Sequence, residues 1–172
     1  MAEERYQPGQ KSQHFDAFLK LTNVKGESVD AKHKDEIEIL AWSWDVKQPH
    51  DNRSTGMAIG RVQVGNLEIT KQADKSTPAL YKSVCCGDHI GDGLLTVRKA
   101  GGDNAVEYIK MKMTDVFVTS IDAYTHEDSP ALLEKVSLNF KTFTITYTSQ
   151  GKDGSAGPGG DFGYDLHQHK KL

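Results

Sequence analysis

Two adjacent thiols, Cys85 and Cys86, stand shortly before His89 in the stretch "KSVCCGDHIG". A thiol beside a base is the elementary arrangement for nucleophilic catalysis, because the base raises the thiolate fraction. Free cysteine otherwise behaves as a small hydrophobe, and the inner face of a helix is the expected place for this pair. A bond between the two would close a strained ring, so both are read as free thiols from a reducing compartment. His167 and His169 would point the same way on a strand and could converge on a metal. No cysteine or carboxylate cluster completes them and "KKL" follows, so a solvated tail is expected, with no metal and no cofactor. The glycine-rich "AGGDN" and "GPGGDFG" lack the following helix and lysine of a phosphate loop, and turn formation explains both. Neither a Gly-x-Ser-x-Gly elbow nor a His-Glu-x-x-His helix occurs, so no catalytic residue is assigned and an enzyme is not expected.

The other candidate constellation lies in "KHKDEIEILAWSWDVKQPHDNRSTG", residues 32–56, which carries both tryptophans of the chain on one parity. Trp42 and Trp44 could stack on a sugar or peptide, but tryptophans dominate interiors, and a packed wall is the favoured reading. In a segment spanning 37–46, Leu40, Trp42, Trp44 and Val46 share one face, and Ile37, Ile39 and Ala41 the other. An apolar second face implies a cover, either the helix or another subunit. Residues 47–60, "KQPHDNRSTGMAIG", read as an unusually long polar loop, and long loops are often functional.

Composition restricts the partners. The chain has 172 residues, enough for one domain, and a net charge of -3 with a pI near 6.1 offers no basic field for a phosphate backbone. No nucleic acid is expected. No apolar run approaches the ~20 residues of a membrane helix, so membrane insertion is not expected, and the N-terminus lacks the apolar core of a secretory signal.

The elements that must position these residues are mostly strands. Residues 1–13 read as a flexible arm and 14–172 as a single domain. "FDAFLKL" alternates Phe15, Ala17, Leu19 and Leu21 on one parity, with Phe18 out of phase. "RVQVGNLEIT" changes parity at Gly65 and Asn66, which suggests a bulge. "STPALYKSVCCG" predicts one short helix over about 76–86, with Thr77 as cap, Pro78 in the first turn, Leu80 and Val84 inward and Gly87 at the exit. "GGDN" predicts a hairpin between "GLLTVRK" and the long segment that follows. Residues 132–149 change parity near Lys141 to Phe143, again suggesting a bulge, and 150–160 read as a loop before one short final strand. The fold class is mainly β, a closed or two-sheet β-barrel with one short α-helix.

Taken in order, "VKGES", "HKDEIEILAWSW", "KSTPALYKSVCCG", "LTVRKAGGDNAVEYIKMKMTDVFVTS", "EKVSLNFKTFTITYT" and "GYDLHQHKK" closely resemble the haemolysin-coregulated protein (Hcp) family, over about residues 14–172. The resemblance implies the inner-tube protein of the bacterial type VI secretion system: a β-barrel assembling with itself as a homohexameric ring, rings stacking into a tube. A contractile sheath would expel the tube behind a spike protein, with secreted effectors in its lumen. The protein would be cytoplasmic before firing and secreted without a signal peptide. Some members carry a toxin domain after the barrel, and none is expected beyond the terminal lysines here. By the same resemblance Gln48, Pro49, His50, Asp51, Asn52, Arg53 and Ser54 would reach the adjoining ring, and Trp42 and Trp44 would form barrel wall. Two rivals stand beside this reading: a monomeric β-barrel that binds a carbohydrate or small ligand through the tryptophans, and a thiol enzyme built on Cys85 or Cys86.

Overall fold

The structure, a computed structural model, describes residues 15–51, 58–99, 105–126, 129–151 and 155–172. The arm at 1–13 and the tip residues Asn52, Arg53 and Ser54 therefore lie outside the described residues. Strands follow one another as β1 (Phe15–Leu21), β2 (Ile37–Ile39), β3 (Ala41–Ser43), β4 (Val46–Lys47), β5 (His50–Asp51), β6 (Ala58–Ile59), β7 (Gln63–Val64) and β8 (Leu67–Gln72). Helix α1 (Thr77–Cys86) comes next, then β9 (Gly91–Lys99), β10 (Glu107–His126), β11 (Ser129–Asn139), β12 (Thr142–Gln150), β13 (Ala156–Asp165) and β14 (Lys170–Lys171). The fold is mainly β with one short helix among the described residues, as the sequence implied.

Strand β10 organises the sheet. Its first half pairs antiparallel with β9 and with β12, and from Phe117 onward it pairs with β11. The change falls at Asp115, whose φ of 55 is a left-handed conformation that aspartate tolerates better than most residues. One wing of the sheet runs β2-β1-β9-β10-β12-β13-β14 and the other β10-β11-β8-β3. The hydrogen-bonded order ends at β14, β2 and β3, so among the described residues the strands do not close into a barrel. A second crossing explains why: β2 pairs with β1, but the Leu40 amide donates to Thr70 O at 2.8 Å and β3 pairs with β8. The wings are thus joined covalently at that corner rather than by a ladder.

Three sequence readings change accordingly. Residues 37–46 are not one strand, because Ile37, Ile39 and Leu40 are all buried and the chain must turn between 39 and 40 to bury them. Residues 132–149 hold two strands rather than one bulged strand: Phe140 and Phe143 both enter the core as the chain steps from one half of β10 to the other, with Lys141 N donating to Thr114 O at 2.9 Å. The glycine-rich 156–160 is strand, paired with β12. It read as loop because this half of β13 is a free edge that buries little, which is also where Pro158 is tolerated.

One face of the wing formed by β8 and β11 is fully covered. Leu67, Ile69 and Lys71 alternate along β8 and are all buried, as are their register partners Leu138, Val136 and Glu134. The apolar rows therefore end in a cross-strand ion pair, Lys71 Nζ to Glu134 Oε2 at 2.7 Å, with the two side chains 0% and 1% exposed. The ammonium makes its other two contacts with Asp74 Oδ1 at 2.9 Å and Thr77 Oγ1 at 3.3 Å. Thr77 donates to Glu134 Oε2 at 2.9 Å and accepts the Asp74 amide at 3.1 Å. Thr77 is thus the first helical residue and ties α1 to the sheet, while the cap position belongs to buried Ser76, whose amide donates to Asp74 Oδ1. Leu80 and Ser83 form the buried ridge of α1, and Gly87, at φ 68, closes it.

Lys71→Met leaves two carboxylates without their cation and is expected to cost ~3–5 kcal/mol, whereas Lys71→Met combined with Glu134→Leu recovers most of that loss. Urea midpoints of the two variants against the parent decide it.

Candidate functional site

The long polar stretch after the tryptophans is a two-stranded arm. Val46 and Lys47 pair with Val64 and Gln63, and further out His50 and Asp51 pair with Ile59 and Ala58. Between the two pairs Gly60 N donates to Pro49 O at 3.2 Å and the Gln48 side-chain Nε2 donates to Gly60 O; at the base Gly65 N donates to Asp45 O at 2.9 Å. Apolar alternation marks little of this ribbon: Val46 is 47% exposed and Gln48 and Pro49 are exposed, while Val64 at its root packs against the core.

Trp42 and Trp44 are half-buried at the root of the arm and pack against the core. The Trp44 indole N–H donates to Gly65 O at 3.1 Å, and its ring meets Phe143 edge-on at 4.9 Å and Phe140 at 6.3 Å. Its polar tip and one edge are thus already engaged, which leaves a poor stacking platform for a sugar.

The cluster continues outward onto β12 and β13. Phe143 touches Phe162 and Tyr164 at 6.2 and 6.4 Å, and Phe162 stands opposite Ile145 in register. Tyr147, two residues further along β12, is 53% exposed and Phe162 is 45% exposed. Burial, then the nearby Tyr147 hydroxyl, pushes the Tyr108 phenol above its usual value.

A third assembly escaped the sequence reading. The connection 22–36 folds back over β1 and buries Phe18 beneath His33, whose ring stacks at 4.3 Å and 9° on the phenyl. Arg98 of β9 lies 5.0 Å from the centroid of the same ring. Its guanidinium bridges Asp16 at 3.1 Å and grips Asp30 with two nitrogens. Asp30 Oδ1 also accepts the amides of Lys32 and His33 at 2.9 and 3.2 Å. His33 Nδ1 is 2.8 Å from Glu36 Oε2 and Nε2 is 3.2 Å from Glu107 Oε1. The loop needs glycine at 26, where a Cβ would stand 2.3 Å from Glu36 O. The signal available was the out-of-phase Phe18: a large aromatic on the opposite face of an alternating strand requires a cover.

The Arg98 hydrogen bond, opposed by partial burial and helped by the two amides, holds the Asp30 carboxyl below its ordinary range. For Glu107, burial disfavours the charge, but Lys110 at 2.7 Å and then His33 outweigh it and the carboxyl is lowered as well.

The thiols are not where helix burial would put them. Cys85 and Cys86 are both exposed, since at about 100° per residue they fall away from the ridge of Leu80 and Ser83. His89, the base proposed for them, is held by Asp115 Oδ1 at 2.6 Å and rests on Phe117. His167 and His169 occupy the turn between β13 and β14 rather than one strand, with Asp165 Oδ1 accepting the His167 and Gln168 amides.

With this architecture in place, comparison with known proteins gives the class. The family model described as "Type VI secretion system effector, Hcp" matches residues 18–147, and the chain belongs to that family. It is 38% identical over 156 residues to protein hcp1 of Pseudomonas aeruginosa, covering 90% of this chain and 96% of the relative. Among solved structures, Hcp1 from Salmonella typhimurium superimposes with a TM-score of 0.74 at 33% identity, covering 92% of this chain and 99% of its own. Another, described as a type six secretion system protein, reaches 0.86 at 29% identity with the same coverage. The chain is therefore a type VI secretion protein of the Hcp family, and among its described residues no helix is long and apolar enough to cross a membrane.

Because the folded-state value of Asp30 is depressed, its contribution to stability is complete above the ordinary carboxylate range and is lost as pH falls through the lowered value. Asp30→Asn is expected to cost about 1.5–3 kcal/mol at neutral pH, the worth of hydrogen bonds to a charged group. It should also flatten the acid limb of a plot of urea midpoint against pH.

Proposed function

We propose that this protein is the repeating subunit of the type VI inner tube: six copies form a ring, rings stack, and the tube carries effectors through the sheath behind the spike. The observation that carries this reading is the aromatic face that runs from buried Phe143 outward to Phe162 and Tyr147. It leaves the core without a boundary and ends in water on the open margin of the sheet. Apolar surface continuous with a core is what a neighbouring copy would cover, and a cyclic assembly uses two different patches per subunit, which suits a sheet with unlike margins. The wall role of Trp42 and Trp44 belongs to the same proposal, as does the reach of the arm, Gln48 through Ser54, toward the adjoining ring. The engaged indole of Trp44 speaks against the carbohydrate-binding alternative.

Light scattering on the size-exclusion peak tests the ring: the expected mass is six times the 19.0 kDa chain, and a single-chain mass would overturn it. Tyr147→Glu is expected to shift that peak toward smaller species with an unchanged circular dichroism spectrum. Deleting residues 52–57 is expected to leave a folded ring that stacks and is secreted poorly; normal secretion of the deleted form would remove the arm from the mechanism.

A further inference from the structure

The connection 22–36 meets β10 through one histidine. Carboxylate oxygens only accept hydrogen bonds, so the contacts of His33 Nδ1 with Glu36 and of Nε2 with Glu107 are both hydrogen bonds only when both ring nitrogens carry protons. We propose that His33 is a proton-dependent latch, which as an imidazolium fastens this loop to the start of β10 and on losing one proton releases it.

The neutral ring has one donor and one acceptor, so one of the two carboxylates must then face a nitrogen lone pair. The shorter contact, 2.8 Å to Glu36, lies within the loop itself, whereas the longer, 3.2 Å to Glu107, crosses to β10. Retaining the shorter one gives up the crossing. Glu107 cannot follow the loop, because Lys110 holds its other oxygen at 2.7 Å.

The charges that face the ring come from every element packed on it among the described residues. The loop supplies Glu36 and Asp30, β1 supplies Asp16, β9 supplies Arg98, and β10 supplies Glu107 and Lys110. Four carboxylates thus stand with Arg98, Lys110 and the ring in one cluster. The imidazolium is also buried, at 6% exposure, so water replaces little of what the latch loses. Arg98 keeps its grip on Asp30 throughout, which confines the release to the half of the loop nearest β2.

The loop does more than cover Phe18. Glu27 and Ser28 form one wall of a cavity of about 220 Å³ whose other walls include Glu38, Leu40, Gln72 and Asp74, at the corner where β2 leads into β3. The loop's backbone is closed by Gly26 N to Asp35 O at 2.9 Å, Ser28 N to Glu36 O at 3.1 Å and Asp35 N to Ser28 O at 2.9 Å. Each of these bonds joins Gly26 or Ser28 to Asp35 or Glu36 in the half that is released, so release exposes the amides and loosens that wall. The device couples proton concentration to the shape of the free margin of the sheet.

The test combines two measurements on the full chain across the titration of His33. Ring ¹⁵N shifts report how many nitrogens carry protons, and hydrogen exchange of the 22–36 peptide, corrected for intrinsic pH dependence, reports closure. Expected is a severalfold loss of protection in 22–36 over the same pH interval in which the ring loses a proton, with a peptide from β9 unchanged. Glu107→Gln should abolish the pH dependence while keeping the loop protected, because a carboxamide can accept from the charged ring or donate to the neutral one. His33→Gln should leave the loop pH-independent as well. Protection that stays flat while the wild-type ring titrates, a singly protonated ring in the protected state, or an unchanged pH dependence in Glu107→Gln would each overturn the latch.

Discussion

The fold depends on one strand belonging to two wings of a sheet. Over its first half β10 takes β9 on one side and β12 on the other; past Asp115 it offers itself to β11. A strand twists steadily, and a sheet this wide cannot stay in one plane without losing the contacts of its inner face. The left-handed residue at Asp115 concentrates that turn in one place, and everything on either side has to follow it. The step from Phe140 to Phe143 is the chain of β11 and β12 crossing the same corner, and Ile90 N donating to Val116 O at 2.7 Å brings the exit of α1 to it as well.

The second corner, from β2 to β3, is held by chemistry of another kind. The buried row of its neighbour β8 ends in Lys71, a charge placed where alternation demanded an apolar residue, and Glu134 across the ladder answers it. A buried pair of this sort contributes little net stability compared with two well-packed apolar residues. What it contributes here is direction. All three ammonium protons are assigned, two of them to Asp74 and Thr77, so the short helix enters at one place and one angle. Leu80 then fills the space above β10, a burial worth about 1.5–3 kcal/mol. A helix of ten residues is too short to hold itself together in water, and here its first turn is fixed by the sheet rather than by its own propensity.

How much of this was legible follows from what was buried. Elements with one dominant buried row wrote their period into the sequence: β1, β8, the apolar half of β10 and the helix ridge at Leu80 all read correctly. Each misread boundary is a place where a residue's burial is decided by two surfaces at once. The parity changes at Ile39–Leu40 and at Phe140–Phe143 are corners between wings, and a bulge would leave the same trace in one dimension. The free half of β13 left no trace, because a ribbon with both faces in solvent has no period to display, and neither did β4, where Val46 and Lys47 are both exposed. The thiols misled for the opposite reason, since cysteine is small enough to sit on either side of a helix and only the ridge of Leu80 and Ser83 decides which. The cluster around His33 was hidden in a stretch of charged residues that reads as solvated loop, although Phe18 had already shown that something must cover it.

The open margins then need a physical account, since a sheet that does not close leaves edges that attract other strands. The chain treats its margins differently. At β13 the half nearest the C-terminus is covered by β14, and Leu172 N donates to Gly163 O at 3.0 Å, while the other half, glycine-rich and carrying Pro158, has little capacity to pair as a flat edge. At β2 the returning loop occupies the edge, with the Ser28 amide on Glu36 O, so a foreign strand finds the acceptor already taken. The backbone edge is therefore covered at β2 and at the β14 end of β13, yet the aromatic side chains at Tyr147 and Phe162 are left bare. Blocking the promiscuous contact while leaving the specific one is how a surface is prepared for a single kind of partner, one that recognises side chains rather than an open ladder.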